Sequence, residues 1–227
     1  MKEHPIIFSG AMVREILNYR KTQTRRVIKP QPTAIIENDL YIDNPIVVVD
    51  EKTGKIIKSF SDKNMNRYIK PVTCPYGRPG DRLWVREAFA PNYFYDGKTG
   101  YKADWTSLAA EYVDEPRWYP SIHMPRYLSR ITLEITNIRA ELLLKISRDD
   151  AFREGVEAID PYKLPGMENI GVPLPAAFRD YQDANECCFG DPIASFFTLW
   201  DRINAGKGYP AQNNPWVWVI EFKRIER

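Results

Sequence analysis

The residues that offer chemistry are concentrated in one short segment near the start of the chain. The segment at 20–26 reads RKTQTRR and places Lys21 three residues before Thr24. A lysine of lowered pKa can take the proton of a hydroxyl group and so activate it as a nucleophile. Neighbouring positive charge lowers the pKa of an ammonium group, and Arg20, Arg25 and Arg26 supply such charge. The segment predicts either an amide-cleaving site or a solvent-exposed connector whose arginines pair with nearby acids.

A carboxylate interrupts the apolar pattern of a later strand. Alternation along the predicted strand at 82–89 puts Glu87 on the same face as Leu83 and Val85. If that face is buried, Glu87 is either protonated or paired with a cation, because burying an unpaired carboxylate is costly. Lys21 is a candidate for that cation. The opposite orientation puts Trp84 inside and Glu87 in solvent, and alternation alone does not choose between the two.

Other candidate residues lie outside these segments. His123 is one of two histidines and could act as a general acid or base, although a single histidine serves equally well as a structural residue. The stretch 92–120 interleaves tyrosine and tryptophan with basic residues, which suits either stacking with a nucleic-acid base or a second small core. His123 and the cysteines have no metal-ligand spacing, so we predict neither a metal site nor a cofactor.

Composition and charge narrow the class of protein. The 227 residues carry a net charge of +2, which excludes a polybasic, histone-like binder. The charge is uneven, because residues 13–29 include six basic side chains and one acid, a patch that suits a phosphate or nucleotide. Three cysteines, two of them adjacent, make no disulfide framework. With no apolar leader or membrane-spanning run, the chain is predicted to be cytoplasmic and not associated with a membrane.

Strands and short helices must position these side chains. Strands are predicted at 5–8, at 27–28 with the residues before them, and at 82–89, 129–136 and 216–222, the first and last of them central. Helices are predicted from the caps Ser9, Ser147 and Asp191. The pattern favours an α+β fold, a small mixed β-barrel with flanking helices.

Three insertions interrupt this single predicted domain, which covers residues 1–227. They lie at about 33–72, 92–120 and 159–190. The first contains a hairpin signal around 50–54, between two apolar runs. The third contains several prolines and no periodicity, so we predict a loop there.

Three motifs follow one another in an order that is known from other proteins. After a strand and a short helix come RKTQTRR at 20–26, PGDRLWVRE at 79–87 and ITLEIT at 131–136. This order resembles the ASCH domain family, most closely the long ASCH-domain proteins encoded by bacteriophages and prophages. The matching segments are 6–29, 74–90, 123–155 and 197–222.

The resemblance implies a fold and an activity. The fold is a PUA-like β-barrel with a cleft beside its first helix, which is used for RNA and modified-nucleoside recognition. Small bacterial members are amidohydrolases that remove the acetyl group from N4-acetylcytidine with a lysine, a threonine three residues later and a glutamate from a following strand. The motif places the family's lysine at Lys21 and its threonine at Thr24 in this sequence. The family's glutamate is placed at Glu87 by its order along the chain. In the implied mechanism Thr24 attacks the exocyclic amide, Lys21 accepts its proton, and Glu87 orients Lys21 or protonates the leaving amine.

A substrate-binding rim completes the expected site. The candidates for contacting a nucleoside or single-stranded RNA are Arg20, Arg25, Arg26, Arg86 and His123. Two other functions stay open: a non-catalytic module of phage origin that binds RNA or a modified nucleotide in the same pocket, and a phage interaction protein whose cleft is vestigial. The long insertions distinguish this chain from the compact enzymes and could reshape or cover the pocket. The expected location is the cytoplasm of a bacterial host, and no protein partner is indicated.

Overall fold

The computed structural model describes residues 1–31, 36–37, 40–41, 46–50, 55–60, 73–93, 97–105, 115–164, 166, 173–183 and 187–226. In these ranges the strands are β1 Glu3–Ile7, β2 Gln23–Val27, β3 Ile36–Glu37, β4 Leu40–Tyr41, β5 Ile46–Asp50, β6 Lys55–Phe60, β7 Arg82–Arg86, β8 Phe89–Ala90, β9 Gly100–Tyr101, β10 Thr132–Leu142, β11 Ala158–Ile159, β12 Ala177–Arg179, β13 Cys187–Phe189 and β14 Trp216–Ile225. The α-helices are α1 Gly10–Leu17, α2 Arg148–Arg153 and α3 Pro192–Asn204. Short 3₁₀ turns occupy Lys102–Asp104, Ser121–His123, Arg126–Leu128, Leu143–Lys145, Pro161–Lys163, Ala205–Lys207 and Ala211–Asn213.

Five strands form the main sheet, in the order β1-β7-β10-β14-β2. β1 runs parallel to β7, and the other neighbouring pairs are antiparallel. The α+β class is therefore confirmed. The last strand, β14, is central as predicted, but β1 is an edge strand whose ladder partner is β7, so the prediction of a central first strand is wrong.

The two edges of this sheet approach each other without a ladder between them. Within the described ranges β1 and β2 end the strand order, so a closed barrel is not formed by backbone pairing. The Arg26 side chain on β2 nevertheless donates a hydrogen bond of 2.8 Å to the Ile7 carbonyl on β1. Its guanidinium also lies 5.2 Å from the centroid of the Phe8 ring. The sheet is therefore strongly coiled, since a flat sheet of five strands would keep its edges far apart.

Apolar clusters cover both faces of the sheet. β14 contributes alternate residues to each, with Trp218 and Ile220 in the first cluster and Val217 and Val219 in the second. This two-sided burial explains why the C-terminal strand is a continuous apolar run rather than an alternating one. Helix α1 packs in the first cluster, and α2 and α3 pack in the second.

Each predicted helix start is confirmed by its cap. The Ser9 hydroxyl accepts a hydrogen bond from the Met12 amide at the start of α1. Ser147 and Asp150 form a capping box on α2. Asp191 caps α3, whose first residue is Pro192. The sequence alone predicts these caps because each cap forms its hydrogen bond within one turn of the helix end.

The structure agrees with the predictions for the three insertions to different extents. β5 and β6 pair antiparallel, which confirms the hairpin in the first insertion, although its turn at 51–54 lies outside the described residues. In the second, 94–96 and 106–114 lie outside them as well. The third was predicted as a loop, and this is wrong in part because β11, β12 and β13 form a small sheet there. These strands are two or three residues long, too short for a periodic pattern. In the described chain, no helix has the length and apolar character needed to span a membrane.

Candidate functional site

A cleft of about 360 Å³ lies between strand β2 and the C-terminal half of helix α3. Its polar lining comprises Thr24, Arg25, Arg26, Lys29, Glu154, Asn204 and Lys207, and its aromatic lining comprises Tyr76, Phe196, Trp200, Tyr209 and Trp218. A hydroxyl group, four basic side chains and one carboxylate thus share a cavity with aromatic walls. Thr24, Arg25 and Arg26 of the RKTQTRR segment line this cleft, whereas Arg20 lines a separate pocket beside α1 and α2.

The pairing of β2 with β14 determines where the side chains of β2 lie in the cleft. Thr24 lies opposite Ile220, and Arg26 lies opposite Trp218. Thr24 and Arg26 share one face of the strand because side chains alternate. The Arg26 guanidinium lies between the rings of Phe8 and Tyr76, 5.2 Å and 5.8 Å from their centroids. The local sequence of β2 therefore delivers a hydroxyl and a guanidinium to the same wall.

Lys21 does not line the cleft, and its side chain is fully buried. Its Nζ donates a hydrogen bond of 2.6 Å to the Glu154 carbonyl oxygen and one of 2.9 Å to Glu154 Oε2. Glu154 is the residue that ends helix α2, and it also lines the cleft. In the part of the chain that the structure describes, no hydrogen bond joins Lys21 Nζ to Thr24 or to Glu87. The partner of the buried lysine is therefore an acid from helix α2.

Burial lowers the pKa of the Lys21 ammonium below its ordinary value. The charge and hydrogen bond of Glu154 oppose this effect, while Arg26 and Arg25 add to it. The direction is that required of a lysine that acts as a base, because the neutral amine becomes more populated near neutral pH. The predicted direction of the Lys21 pKa is thus found, with burial as its first cause and the arginines as lesser ones, and its role as a base stays a prediction.

Arg25 joins the same network from the opposite face of β2. Its side chain is fully buried, and it donates hydrogen bonds to Glu154 Oε1 at 3.0 Å and Asp150 Oδ2 at 3.1 Å, with a third to Glu141. The carboxylate of Glu154 is therefore held on one oxygen by Lys21 and on the other by Arg25. A buried charge with this many partners has a defined position, which a catalytic group needs.

Glu87 points inward but pairs with a different cation. It is 2% exposed, and both of its carboxylate oxygens accept hydrogen bonds from Arg130, at 2.9 Å and 3.0 Å. Arg130 also binds Asp104 and lies 4.0 Å from the Tyr101 ring centroid. Burial raises the pKa of Glu87, and the Arg130 hydrogen bonds oppose that rise. The inward orientation is confirmed, whereas the suggested pairing with Lys21 is replaced by Arg130, which comes from the segment beside β7.

Three predicted rim residues lie away from the cleft. Arg20 has a side chain that is 64% exposed, and it forms a bidentate ion pair with Glu15 at 2.5 Å and 2.7 Å. Arg86 lies over the Trp84 ring and donates to the Ile122 carbonyl. His123 is exposed in a 3₁₀ turn. Of the candidate binding residues, Arg25 and Arg26 line the cleft and these three do not.

Glu154 is the residue of this cleft and its ion pairs that sequence reasoning missed. The helix start predicted at Ser147 is that of α2, and no end was predicted for this helix. Gly155 has a φ of +79°, and a Cβ there would lie 3.0 Å from the Cβ atoms of both Glu15 and Lys21. The glycine thus permits the close approach of α2 to Lys21. Nothing in the local sequence says that this helix end packs against residue 21.

A metal site is not formed by the residues that the structure describes, since no group of three or more histidine, cysteine or acidic side chains is placed to hold an ion. The acids that do converge, Glu141, Asp150 and Glu154, surround Arg25 instead. Cys74 is a buried thiol outside any disulfide. Burial raises the pKa of the Cys74 thiol to about 12, which makes it a poor nucleophile or ligand.

Comparison with known proteins does not assign the chain, because no protein-family model, curated protein or solved structure matches it. The resemblance to the ASCH family therefore stays a prediction. The functional proposal depends on the geometry of the cleft.

Proposed function

We propose that the cleft binds a nucleoside-sized ligand and hydrolyses an exocyclic amide on its base, as in the N4-acetylcytidine amidohydrolases that the sequence resembles. One observation carries the proposal. Glu154 lines the cleft together with Thr24, and on its other side it holds the buried amine of Lys21, whose pKa burial lowers. A buried amine of lowered pKa is thus hydrogen-bonded to a carboxylate that lines the same cleft as the hydroxyl of Thr24.

The cleft is suited to a planar, polar ligand. Its volume of about 360 Å³ lies near the lower end of the range for small-molecule sites, roughly 300–1,000 Å³. Tyr76 and Tyr209 are half-buried walls against which a base can stack. The guanidinium of Arg26 lines the same wall and adds positive charge to it. These features favour a nucleoside over a flexible apolar ligand.

The proposed reaction uses a neutral Lys21. A neutral amine has two N–H bonds, which the two Glu154 acceptors take, and a lone pair that is left to accept a proton. Thr24 Oγ1 attacks the acyl carbon, and its proton passes to Lys21. The C–N bond then breaks as Lys21 returns the proton to the leaving exocyclic nitrogen. Water hydrolyses the resulting threonine ester with Lys21 again as the base.

Glu154 takes the part that the resemblance assigns to Glu87. It orients the amine of Lys21 through two hydrogen bonds and stabilises the ammonium that forms when the proton is transferred. Catalytic hydrogen bonds are commonly long before a substrate is bound and tighten in the Michaelis complex, so Lys21 and Thr24 are expected to come together on binding.

A second function, binding without cleavage, has an observation of its own. Both hydrogen bonds of Lys21 end on Glu154, and Glu154 is also held by Arg25, an arrangement that equally serves as a structural ion network. In this case the cleft would hold a modified nucleotide or single-stranded RNA and leave it intact. The two functions share a ligand class and differ in turnover.

The fold proposal follows the same resemblance. We propose that the coiled five-stranded sheet is an open form of a PUA-like barrel, supported by the Arg26 contact between its two edges. The cytoplasm of a bacterial host stays the predicted location.

Turnover of N4-acetylcytidine tests the enzyme proposal. We expect the wild-type protein to release cytidine, followed by chromatography, and Thr24→Val to lower kcat by about 10²–10⁴ because the nucleophile is lost. Thr136→Val, at an exposed threonine of β10, is the matched control and should retain the full rate. The rate should rise with pH through the lowered pKa of Lys21, since the neutral amine is the active form. Binding of the nucleoside without turnover, or equal rates for wild type and Thr24→Val, would favour the second function.

A further inference from the structure

We infer that the ligand of this cleft carries a phosphate, so that the site takes a nucleotide in preference to a free nucleoside. The inference rests on the proposed nucleoside-sized ligand and adds a separate subsite for its charged end. The subsite is formed by Lys29 and Lys207, with Arg26 as the inner donor. It is distinct from Thr24 and the Lys21–Glu154 pair, where the reacting group would lie.

The charge of the cleft lining points to an anion. Four basic side chains line the cleft against a single carboxylate, that of Glu154. Glu154 is already compensated by Lys21 and Arg25, and Arg25 has two further acids as partners. The positive charges of Arg26, Lys29 and Lys207 thus face the cleft without a carboxylate in its lining to offset them. A neutral nucleoside would leave that excess unchanged, whereas a phosphate monoester brings about −1.5 to −2 charges.

The two lysines flank one aromatic wall. Lys29 Nζ lies 5.2 Å from the centroid of the Tyr209 ring. Lys207 ends the 3₁₀ turn that follows α3, two residues before Tyr209. Both lysines are exposed, so their ammonium groups lie at the mouth of the cleft while Thr24 and Glu154 are buried. A base stacked on the aromatic wall would then place a phosphate at the mouth and its exocyclic group inward.

Arg26 supplies a donor that still lacks an acceptor. Its Nε is buried and has no hydrogen-bond partner among the described residues, although Nη2 is bound to the Ile7 carbonyl. An unsatisfied buried N–H is costly, so a ligand oxygen at this wall would gain a charge-assisted hydrogen bond. The guanidinium is held between Phe8 and Tyr76, so a shift of this side chain toward the ligand accompanies that bond.

Affinities for matched ligands test the inference. The full-length protein is titrated by calorimetry with cytidine, cytidine 5′-monophosphate and a short oligocytidylate at low salt. We expect the monophosphate to bind at least about tenfold more tightly than cytidine, and Lys29→Ala or Lys207→Ala each to remove about threefold to tenfold of that preference. Tighter binding of the oligocytidylate than of the monophosphate would identify an RNA strand as the source of the phosphate, and the reverse would identify a mononucleotide.

Control variants separate binding from stability. Lys163→Ala removes a lysine that is 83% exposed and lies outside the cleft, and it should leave all affinities unchanged. Lys207 also follows the C-terminus of α3, where a basic side chain offsets the helix dipole. Lys207→Arg keeps that charge and should restore the preference, while thermal unfolding of Lys207→Ala reports any structural loss.

The outcomes distinguish this inference from the enzyme proposal. Equal affinities for cytidine and its monophosphate, or lysine variants that weaken both ligands equally, would overturn the phosphate subsite even if N4-acetylcytidine is hydrolysed. A phosphate preference that depends on Lys29 and Lys207 would support it even if no turnover is found. Failure of every ligand to bind would overturn the phosphate subsite, while the turnover of N4-acetylcytidine would still decide the enzyme proposal.

Discussion

Glu154 is the residue on which the buried charges of the site converge. One carboxylate oxygen accepts from Lys21 and the other from Arg25, and all three side chains are almost completely buried. A buried cation–anion pair is stable only when its remaining hydrogen-bonding positions are filled. Here Asp150 and Glu141 accept from Nη2 of Arg25, whose buried Nε has no partner among the described residues, and the Glu154 carbonyl accepts from Lys21. The position of the Lys21 amine therefore depends on this one carboxylate.

Two glutamate-to-glutamine substitutions compare the two candidate acids. Glu154→Gln should lower the proposed turnover by about 10² or more, because the amide cannot stabilise the Lys21 ammonium that forms. Glu87→Gln should leave turnover unchanged and cost about 1–3 kcal/mol of unfolding free energy, since Arg130 keeps Asp104 as a partner. Steady-state rates and urea denaturation of both variants make the comparison. Loss of turnover in a folded Glu87→Gln protein would return the catalytic role to Glu87.

At the level of elements, the short helix α2 is what brings Glu154 to β2. The capping box of Ser147 and Asp150 starts the helix, and Gly155 follows its last cap residue with a left-handed φ of +79°. The backbone at Gly155 lies so close to Glu15 and Lys21 that a methyl group would need displacement of one of them. A six-residue helix has little intrinsic stability, so its place is set by this packing.

Gly155→Ala tests whether that close approach positions Lys21. The alanine must adopt a left-handed conformation and also meets the two Cβ atoms, so it should destabilise the protein by about 1–3 kcal/mol more than a substitution that has only the conformational cost. Gly80→Ala is the matched control, because Gly80 has a φ of +86° and nothing within 4 Å of the added Cβ. Denaturant unfolding measures both. Equal destabilisation by the two variants would show that the packing at Gly155 is not tight.

For the whole molecule, the distribution of charge matters more than its sum. The net charge is only +2, so the protein as a whole creates a weak field. Three basic side chains that no carboxylate of the lining offsets, Arg26, Lys29 and Lys207, lie in the cleft beside the coiled edge between β1 and β2. Attraction of an anion is therefore expected to be local.

The salt dependence of ligand binding follows from this distribution. The affinity for cytidine 5′-monophosphate should fall by less than about tenfold between roughly 50 and 200 mM salt, because only a few charges are neutralised. A protein that tracks a long phosphate backbone with 6–10 contacts loses about 10³–10⁵ over the same range. Titrations with the monophosphate and with a long RNA at both salt concentrations distinguish these cases. A steep loss for the long RNA would indicate a larger binding surface than the cleft.

Sequence determined those features that depend on neighbouring residues. Ser9, Ser147 and Asp191 identified the helix starts, because a cap bonds within one turn. The spacing of Lys21 and Thr24 identified the segment that meets the cleft. The short strands in the predicted loop at 159–190 escaped detection, since two or three residues carry no period.

Only the tertiary structure decided which charges meet. Lys21 and Glu154 are 133 residues apart, and the local sequence around each does not indicate that they form a pair. Alternation grouped Glu87 with Leu83 and Val85 but left open which face of the strand is buried. Its burial and its partner Arg130 depend on the pairing of β7 with the segment leading into β10. Burial and ion pairing are long-range properties that follow from the order of strands in the sheet. For that reason the sequence identified the lysine and the threonine of the candidate site, and the fold supplied their acid.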